Sequence, residues 1–425
     1  MHKKSFLASG HLPTLFSAFL YFDVSFMVWV LFGPMTPFIA DHMTLSATQK
    51  GLLTAIPLLG GSFFRPILGL LADRVGGRRA GLTGIALTLL PLLLGWRAAH
   101  TLGELYLIGF LLGIAGASFA VALPLAGRWF PAEHQGLAMG IAGAGNSGTL
   151  LITFFGPRLA QHLGWHAVFG LCLLPITLTL VAFAWLARDC PSTAPPKPWS
   201  SYARLFAQSD TWRLCFLYSL TFGGFVGLAS FLSVFFHDQY HLTKVQAGDA
   251  TTLVVLAGSF LRPVGGWLGD RFGGYRLLLT FFGLVALGLG LVGTLPPIPV
   301  VLPTLFLVMG LLGMGNGAVF QIAPQRFPRE MELMTGIVGA AGGLGGFFLP
   351  SALGEMKDIF GSYGAGLMAF AIIFALSALL LLEFGVVWSA RWTPEARMRT
   401  MTFSWRGVGG GAVQEPTLET KPLAE

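Results

Sequence analysis

Twelve apolar stretches of about 20 residues follow one another along this chain of 425 residues. As a helix, a stretch of that length crosses the roughly 30 Å hydrocarbon core of a bilayer. Only 11% of the residues are charged, whereas soluble domains carry about 25%. We therefore predict an all-α membrane protein with twelve transmembrane helices. Numbered as spans 1 to 12, they are expected near residues 12–40, 50–72, 80–96, 104–127, 136–159, 166–188, 212–237, 247–269, 275–294, 301–324, 334–354 and 363–388.

The basic residues predict how the chain is oriented. If the N-terminus is cytoplasmic, the inner loops and the tail carry 19 of the 26 lysines and arginines, and the outer loops carry five. This bias follows the positive-inside rule. We therefore expect both termini in the cytoplasm and a multi-pass location in the plasma membrane or the bacterial inner membrane. The same bias explains the net charge of +7 without a nucleic-acid partner.

Two arginines, Arg65 and Arg262, stand inside apolar segments at matching places in the two halves of the chain. Residues 61–79 and 258–276 share 12 identities in 19 positions without a gap. An arginine at the bilayer centre costs at least roughly 2.5–3.5 kcal/mol on insertion scales. A chain that carries this cost twice has a use for two fixed positive charges, and the simplest use is to hold an anion.

The repeat predicts two parallel six-helix halves with a substrate site between them at the midplane. We place the halves at residues 1–188 and 212–390, on either side of a cytoplasmic loop at 189–211 that is rich in proline and serine. The glycine-rich tail at 391–425 is expected to be cytoplasmic and disordered. Pseudo-symmetric halves of this kind would form one bundle of twelve helices.

The short loops after spans 2 and 8 carry the pairs Asp73-Arg74 and Asp270-Arg271. These two turns resemble the signature loop of the major facilitator superfamily, and the resemblance covers essentially all twelve spans. It implies the fold of that superfamily. We expect the four residues to act in gating, through charge–dipole and ion-pair contacts between neighbouring helices.

Spans 5 and 11 contain corresponding glycine-rich stretches at residues 143–148 and 339–347. The first satisfies G-x-G-x-x-G, but no strand precedes it, so a dinucleotide site is excluded. Close helix packing alone explains many such stretches. Their place beside the two arginines favours a second use, which is to line a narrow path for the anion. Asn146 adds an amide that can donate to an anion oxygen.

The two glycine motifs look like the two nitrate signatures of the nitrate/nitrite porter family within the major facilitator superfamily. The resemblance implies that Arg65 and Arg262 bind substrate. It also implies an aromatic clamp formed by Phe119 in span 4 and Phe320 in span 10, and a contact from Tyr218 in span 7. Further expected site residues are Asn146, Gly143, Gly145, Gly342 and Gly343.

One departure from the family concerns the neighbours of Asn146. Family members often have a second asparagine nearby, whereas Ala142 and Ser147 flank Asn146 here. This difference puts the affinity and the preference between nitrate and nitrite in doubt.

Nitrate suits a site of this kind because it is planar, monovalent and never protonated at physiological pH. A guanidinium is also planar and permanently charged, and it can bond two oxygens at once. Arg65 and Arg262 each lie eight residues before the aspartate of their loop, or about 12 Å along a helix, so they reach the same depth. The alternative is that each arginine pairs with an acid. Because only Asp23 lies well inside a span, one acid would have to neutralise two arginines.

Asp23 is the candidate for proton coupling, because an intramembrane acid is a relay candidate by default. The alternative is a hydrogen bond or ion pair that anchors a helix. Among porters of this family, an acid in span 1 resembles the proton-symport type. Import of an anion against a negative-inside potential costs about 2.3 kcal/mol per 100 mV, and either proton symport or exchange for nitrite would offset it.

We therefore expect a secondary transporter for nitrate, and also for nitrite, that works by proton symport and supports nitrate assimilation or respiration. The alternatives are a nitrate/nitrite antiporter, a porter for another small anion, and an anion sensor, against which the short glycine-rich tail argues.

No nucleophile–base pair or metal spacing is evident, so we expect no enzyme activity, no cofactor and no metal. We expect a monomer in the bilayer. The tryptophans mostly lie near predicted ends and are interpreted as interface anchors, and Trp29 is counted among them.

Overall fold

Helices account for nearly all of the chain that the computed structural model describes, which is residues 6–191, 199–327 and 331–391. The tail beyond Arg391 lies outside the described residues. Two short helices, Phe6–Ser9 and Trp199–Phe206, precede spans 1 and 7. The remaining helices form the twelve predicted spans.

Eight spans are single helices, and spans 1, 4, 5 and 8 are each built from shorter helices in succession. The single helices are Ala47–Val75 (span 2), Gly77–Arg97 (span 3), Trp165–Leu186 (span 6), Ser209–Tyr240 (span 7), Gly274–Gly293 (span 9), Ile298–Arg326 (span 10), Met331–Phe360 (span 11) and Tyr363–Arg391 (span 12). The divided spans are Leu12–Trp29 and Phe32–Ile39 (span 1), Leu102–Gly116 and Phe119–Gly127 (span 4), Ala132–Gly143, the 3-10 turn Ala144–Ser147 and Gly148–Leu163 (span 5), and Lys244–Phe260 and Arg262–Phe272 (span 8).

Proline explains two of the breaks. A proline ring clashes with the carbonyl four residues earlier and lacks the amide that would bond to it. Pro34 therefore interrupts span 1 at Val30, and Pro263 interrupts span 8 between Phe260 and Arg262. The break in span 8 lies directly before the arginine predicted to bind the anion.

Within the segment 189–211, predicted as a loop, the structure contains the helix Trp199–Phe206, and span 7 already begins at Ser209. Polar contacts extend span 7 beyond its apolar part. Asp210 pairs with Arg213 at 2.7 Å and with Arg326 at 2.6 Å, and it accepts a hydrogen bond from Trp388 at 3.0 Å. These contacts hold the first turn of span 7 against spans 10 and 12.

The two ends of the bundle are named after the segments of the chain that lie there. The N-terminal face carries the start of span 1 and the connection from span 6 to span 7, and the opposite face carries the turn from span 1 to span 2. Odd spans run from the N-terminal face to the opposite face, and even spans run back. Large apolar side chains, such as Leu174, Leu178 and Leu287, are exposed on the outside of the bundle, where lipid surrounds it.

The two six-helix halves meet along spans 2 and 11 and along the opposite-face parts of spans 5 and 8. Small residues allow the close approach. A Cβ on Gly354 of span 11 would collide with the carbonyl of Ala47 in span 2, and a Cβ on Gly51 would collide with that of Pro350. Asp358 of span 11 also accepts hydrogen bonds from the first two amides of span 2, at 3.1 and 2.8 Å.

Among the described residues, three ion pairs join the halves at the opposite face. Arg158 of span 5 contacts both carboxylate oxygens of Asp249 in span 8, at 2.6 and 2.9 Å. The other two pairs are Lys50 with Asp238, at 2.7 Å, and Lys244 with Asp41.

Two glycines that precede the glycine stretches, on the side of the N-terminal face, have open space beside them. A Cβ on Gly140 of span 5 or on Gly336 of span 11 would meet no described atom within 4 Å. The halves are therefore held together at the opposite face, and spans 5 and 11 have free space towards the N-terminal face.

We predict that Asp249→Asn loosens the closure at the opposite face. The pair with Arg158 is partly exposed, and such a pair contributes up to about 1 kcal/mol, or about fivefold in an equilibrium. Thr153, which is buried and contacts Thr252 across the halves at 2.7 Å, is the reporter when replaced by cysteine. Its labelling by a membrane-impermeant maleimide should become two- to fivefold faster in the variant.

The background for this labelling has serine in place of the three free cysteines, Cys172, Cys190 and Cys215. Glu104→Gln is the control, because this acid on the same face accepts amide hydrogen bonds from His100 and Thr101 of its own half. Equal labelling rates in the two variants would contradict the assignment of this ion pair as a clamp.

Candidate functional site

Arg65 is buried in span 2 and is 1% exposed. Its Nε donates to the carbonyl of Gly116 in span 4 at 3.0 Å, and its Nη1 donates to the carbonyl of Gly339 in span 11. Its Nη2 has no hydrogen-bond partner among the described residues. The guanidinium thus bridges the two halves through backbone carbonyls and keeps one donor group free.

Aromatic rings surround the same guanidinium. Its central carbon lies 5.0 Å from the ring centroid of Trp29, 5.1 Å from that of Phe222 and 5.5 Å from that of Phe119. Cations are attracted to aromatic faces at such distances. The interpretation of Trp29 as an interface anchor is wrong, because its side chain is fully buried and donates to the carbonyl of Pro57 at 2.7 Å.

Arg262 begins the second helix of span 8 and is 9% exposed. Its Nη1 donates to Oδ1 of Asn146 in span 5, and its Nη2 donates to the hydroxyl of Tyr218 in span 7, both at 3.5 Å. These are long hydrogen bonds. Arg262 is therefore held more loosely than Arg65, by neutral side chains from both halves.

The two guanidiniums share one aromatic ring. The central carbon of Arg262 lies 5.7 Å from the centroid of Phe119, and that of Arg65 lies 5.5 Å from it. In the described chain, neither arginine has a carboxylate within 4 Å. The site thus combines two positive charges with backbone carbonyls, an amide, a phenol and aromatic faces.

The structure brings the two predicted clamp residues into contact. The ring centroids of Phe119 and Phe320 are 6.1 Å apart, and the planes are tilted by 48°. A flat ion between two parallel rings would need about 7 Å, twice the usual contact distance. The rings would therefore have to separate and turn before they could hold an ion between them. Tyr218 packs edge-on against Phe320 at 5.0 Å.

The predicted site glycines divide into two groups. A Cβ on Gly145 would come within 2.7 Å of the backbone nitrogen of Asp23, and one on Gly342 would come within 2.7 Å of the ring of Tyr218. A Cβ on Gly343 would collide with the hydroxyl of Ser62. Gly143 has space, since its Cβ would stand 3.9 Å from Leu123. Gly339 contacts the arginine through its carbonyl.

Asp23 lies in span 1 beside the 3-10 turn of span 5 and is 8% exposed. Ser147 donates its hydroxyl proton to Oδ1 of Asp23 at 2.6 Å. Ser147 follows Asn146, and Asn146 contacts Arg262. The acid is thus connected to the second arginine by two consecutive residues of one turn.

The predicted gating residues lie at the N-terminal face. Asp73 pairs with Arg128 of span 4 at 3.4 Å, and Asp270 hydrogen-bonds with Gln321 of span 10. Arg74 lies in the last turn of span 2. The guanidinium of Arg271 lies 5.7 Å from the ring of Trp267. The two aspartates therefore tie spans 2 and 8 to the neighbouring spans 4 and 10 within their own halves.

Sequence reasoning missed Phe222, Gly116 and the roles of Trp29 and Ser147 in this site. Phe222 could have been found, because it stands four residues after Tyr218 and so lies on the same face of span 7. The partners Gly116 and Gly339 act through backbone carbonyls, which residue identity does not reveal.

We predict opposite outcomes for glycine-to-alanine substitutions inside the two motifs. Gly145→Ala and Gly342→Ala should each lower stability by roughly 1–3 kcal/mol, because an added methyl overpacks a filled site. Gly143→Ala is the control, and we expect its free energy of unfolding to lie within about 0.5 kcal/mol of that of the unsubstituted protein. Thermal melting of the purified proteins in detergent measures this. Equal melting of all three variants would show that these glycines are not packed as described.

Comparisons with known proteins identify the family of the chain. The sequence profile of the Major Facilitator Superfamily matches residues 17–350 and 214–403. Two solved structures share the fold at low sequence identity. One is titled "Crystal structure of D-xylose-proton symporter", with a TM-score of 0.71, 16% identity, and coverage of 92% of this chain and 99% of the other. The second is "Partially occluded inward open conformation of the xylose transporter XylE from E. coli", with a TM-score of 0.70, 14% identity, and coverage of 88% and 99%.

Curated relatives are more similar in sequence. The "Probable nitrate/nitrite transporter NarK2" of Mycobacterium tuberculosis is 35% identical over 354 residues, or 81% of this chain and 89% of the relative. The "Nitrite extrusion protein" of Bacillus subtilis is 32% identical over 89% of this chain and 93% of the relative. The "Probable nitrate/nitrite antiporter NarK1" of Thermus thermophilus is 31% identical over 87% and 90%. The chain belongs to the major facilitator superfamily and, within it, to the nitrate/nitrite porter family.

Proposed function

We propose that this chain carries nitrate, and also nitrite, across the membrane by alternating access around Arg65 and Arg262. The observation that carries the proposal is a pair of buried guanidiniums, one from each half, that both lie close to one phenylalanine ring. Both lie within 6 Å of Phe119. Without a carboxylate nearby in the described chain, the two charges call for an anion from outside.

The chemistry of the site favours a small planar oxyanion. Arg65 keeps Nη2 free, and Arg262 makes only two long contacts. Asn146 also keeps its Nδ2 unpaired among the described residues. These donors suit the oxygens of one flat anion, and the aromatic faces leave little room for hydration. The names of the curated relatives support nitrate and nitrite as the substrates.

Neutral contacts that cross between the halves support alternating access. Arg65 reaches Gly339 of span 11, and Arg262 reaches Asn146 of span 5. An anion between the arginines would replace these contacts to neutral acceptors by hydrogen bonds between opposite charges, which can be bidentate. Binding would thus draw the halves together around the substrate, and release would allow either face to open.

We propose that the N-terminal face is cytoplasmic, as the distribution of basic residues predicts. The described conformation is then closed to the outside by the ion pairs of the opposite face. Asp73 and Asp270, with Arg74 and Arg271, would control the cytoplasmic entrance by tying spans 2 and 8 to their neighbours.

Proton symport through Asp23 is the form of coupling that we propose. Its support is geometric, since the carboxyl group is nearly buried and bonds to Ser147, next to the residue that contacts Arg262. Exchange of nitrate for nitrite is the second candidate, and the relative from Thermus thermophilus that is named an antiporter favours it.

We predict that Arg65→Lys and Arg262→Lys each lower nitrate transport at least tenfold. Lysine keeps the charge but loses the planar fork, and a hydrogen bond to a charged group is worth about 1.5–3 kcal/mol. Uptake of labelled nitrate into proteoliposomes at several concentrations measures this loss. Arg97→Lys is the control, because this arginine stacks on Trp96 at the opposite face. Wild-type-like uptake in either site variant would contradict paired recognition.

We predict that Asp23→Asn removes the acceleration of nitrate uptake by an imposed proton gradient, while nitrate/nitrite exchange continues. The amide keeps the size of the carboxyl group but cannot carry a proton. Uptake is compared with a gradient, and separately with nitrite inside the vesicles. If the wild-type protein responds to internal nitrite and not to the gradient, the protein is an exchanger. An unchanged response of the variant to the gradient would remove Asp23 from the coupling.

A further inference from the structure

Four buried polar side chains lie one helical turn from the proposed site, each towards the opposite face. Thr149 follows Asn146 by three residues, and Thr221 follows Tyr218 by three. Both are on odd spans, which run towards that face. On even spans the direction is reversed, and Ser259 precedes Arg262 by three residues while Asn316 precedes Phe320 by four. These residues, Thr149, Thr221, Ser259 and Asn316, are called the polar layer below.

All four side chains are buried, with exposures from 0 to 2%. The three hydroxyls and both polar atoms of the Asn316 amide have no hydrogen-bond partner in the described chain. Buried polar groups in folded proteins almost always have partners, and each exception calls for an explanation.

Local bonding to the helix does not supply the missing partners. Serine and threonine in helices commonly donate to the carbonyl four residues earlier, and other threonines of this chain do so. Thr88 donates to Gly84 at 2.8 Å, and Thr251 donates to Ala247 at 2.7 Å. The hydroxyls of the polar layer make no such bond, so they remain available for another partner.

The spans that carry the polar layer pack together at this level. Span 8 contacts spans 5, 7 and 10, and span 7 contacts span 10. A Cβ on Gly315, next to Asn316, would come within 2.8 Å of the side chain of Thr221. Leu312 and Phe320, one turn on either side of Asn316, contact Gly224 and Tyr218 of span 7. Asn316 therefore points towards span 7, next to the site.

The residue that corresponds to Asn316 in the N-terminal half has no polar side chain. Gly317 and Phe320 correspond to Gly116 and Phe119, so Asn316 corresponds to Ala115, a small buried residue. An alanine at position 316 would therefore suffice for helix packing in the C-terminal half. The amide in its place points to a polar function.

We propose that the polar layer is a second, uncharged binding position for the transported anion, between the arginines and the opposite face. This inference rests on the proposed function. Hydroxyl and amide groups can donate to anion oxygens without adding charge. A position without charge can take over part of the hydration shell and still release the ion, as transport through successive sites requires. When the opposite face opens, the layer would receive the anion before it reaches Arg262.

The test uses the purified full-length protein in proteoliposomes, with the initial rate of nitrate uptake measured against nitrate concentration. Asn316→Leu removes the donors at similar volume, and we expect kcat/KM to fall several-fold. Asn316→Asp keeps the shape but adds a negative charge, and we expect a larger loss, about tenfold or more. Thermal melting is measured in parallel, and Asn316→Leu should melt no lower than wild type because an unpaired buried amide is removed.

Comparison of the kinetics with thermal melting separates an anion position from a structural role. If Asn316 only supports the fold, Asn316→Leu should transport like the wild-type protein, or each variant should lose transport only as far as it loses thermal stability. Either result would overturn the proposal. Thr221→Val is a second test, with an expected several-fold loss, and it decides the matter if Asn316→Leu fails to fold. Thr88→Val is its matched control, since that threonine is buried and bonded within span 3. Absence of nitrate uptake by the wild-type protein would instead refute the proposed function.

Discussion

Two positive charges, buried without acidic partners among the described residues, are the constraint on which the rest of this structure depends. A guanidinium in a low-dielectric interior is costly unless hydrogen bonds and polarisable groups replace its water. Arg65 receives two backbone carbonyls and three aromatic faces. Gly116 leaves room for the ring of Trp29, with which a Cβ there would collide, and Trp29 lies beside the arginine at the break in span 1. Many features of the centre of the bundle thus help to hold a charge for which we propose an anion as the final partner.

The repeat makes the two arginines equivalent in sequence, but their surroundings differ. Arg65 is anchored by shorter bonds in a fully enclosed place, whereas Arg262 has two contacts of 3.5 Å to Asn146 and Tyr218. A loosely held arginine can follow an anion with little loss of existing bonds. We infer that the two arginines have different roles, with Arg65 as the fixed part of the site and Arg262 as the part that can move with the anion. Asp23 adjoins this movable part through Ser147, where coupling to substrate binding would need the least movement.

Much of this architecture could be predicted from the sequence because the bilayer restricts the alternatives. Length and apolarity identified the twelve spans, and the repeat placed Arg65 and Arg262 at one depth. The breaks within spans 1 and 8 lie at Pro34 and Pro263, but Pro57 and Pro66 lie inside the unbroken helix of span 2, so a proline alone does not predict a break. The bonding of the arginines could not be predicted, because Gly116 and Gly339 act through carbonyls that every residue has. The partner of Asp23 depends on how span 1 meets the 3-10 turn of span 5, which is a tertiary contact between distant parts of the chain.

The central claim is that one anion is held by both arginines, and an experimental structure of the protein with bound nitrate tests it most directly. We predict density for a planar ion within hydrogen-bond distance of the guanidiniums of both Arg65 and Arg262, with Phe119 and Phe320 moved apart from their present separation of 6.1 Å. Nitrate bound elsewhere, or bound to one arginine while the other keeps its present contacts, would contradict the account.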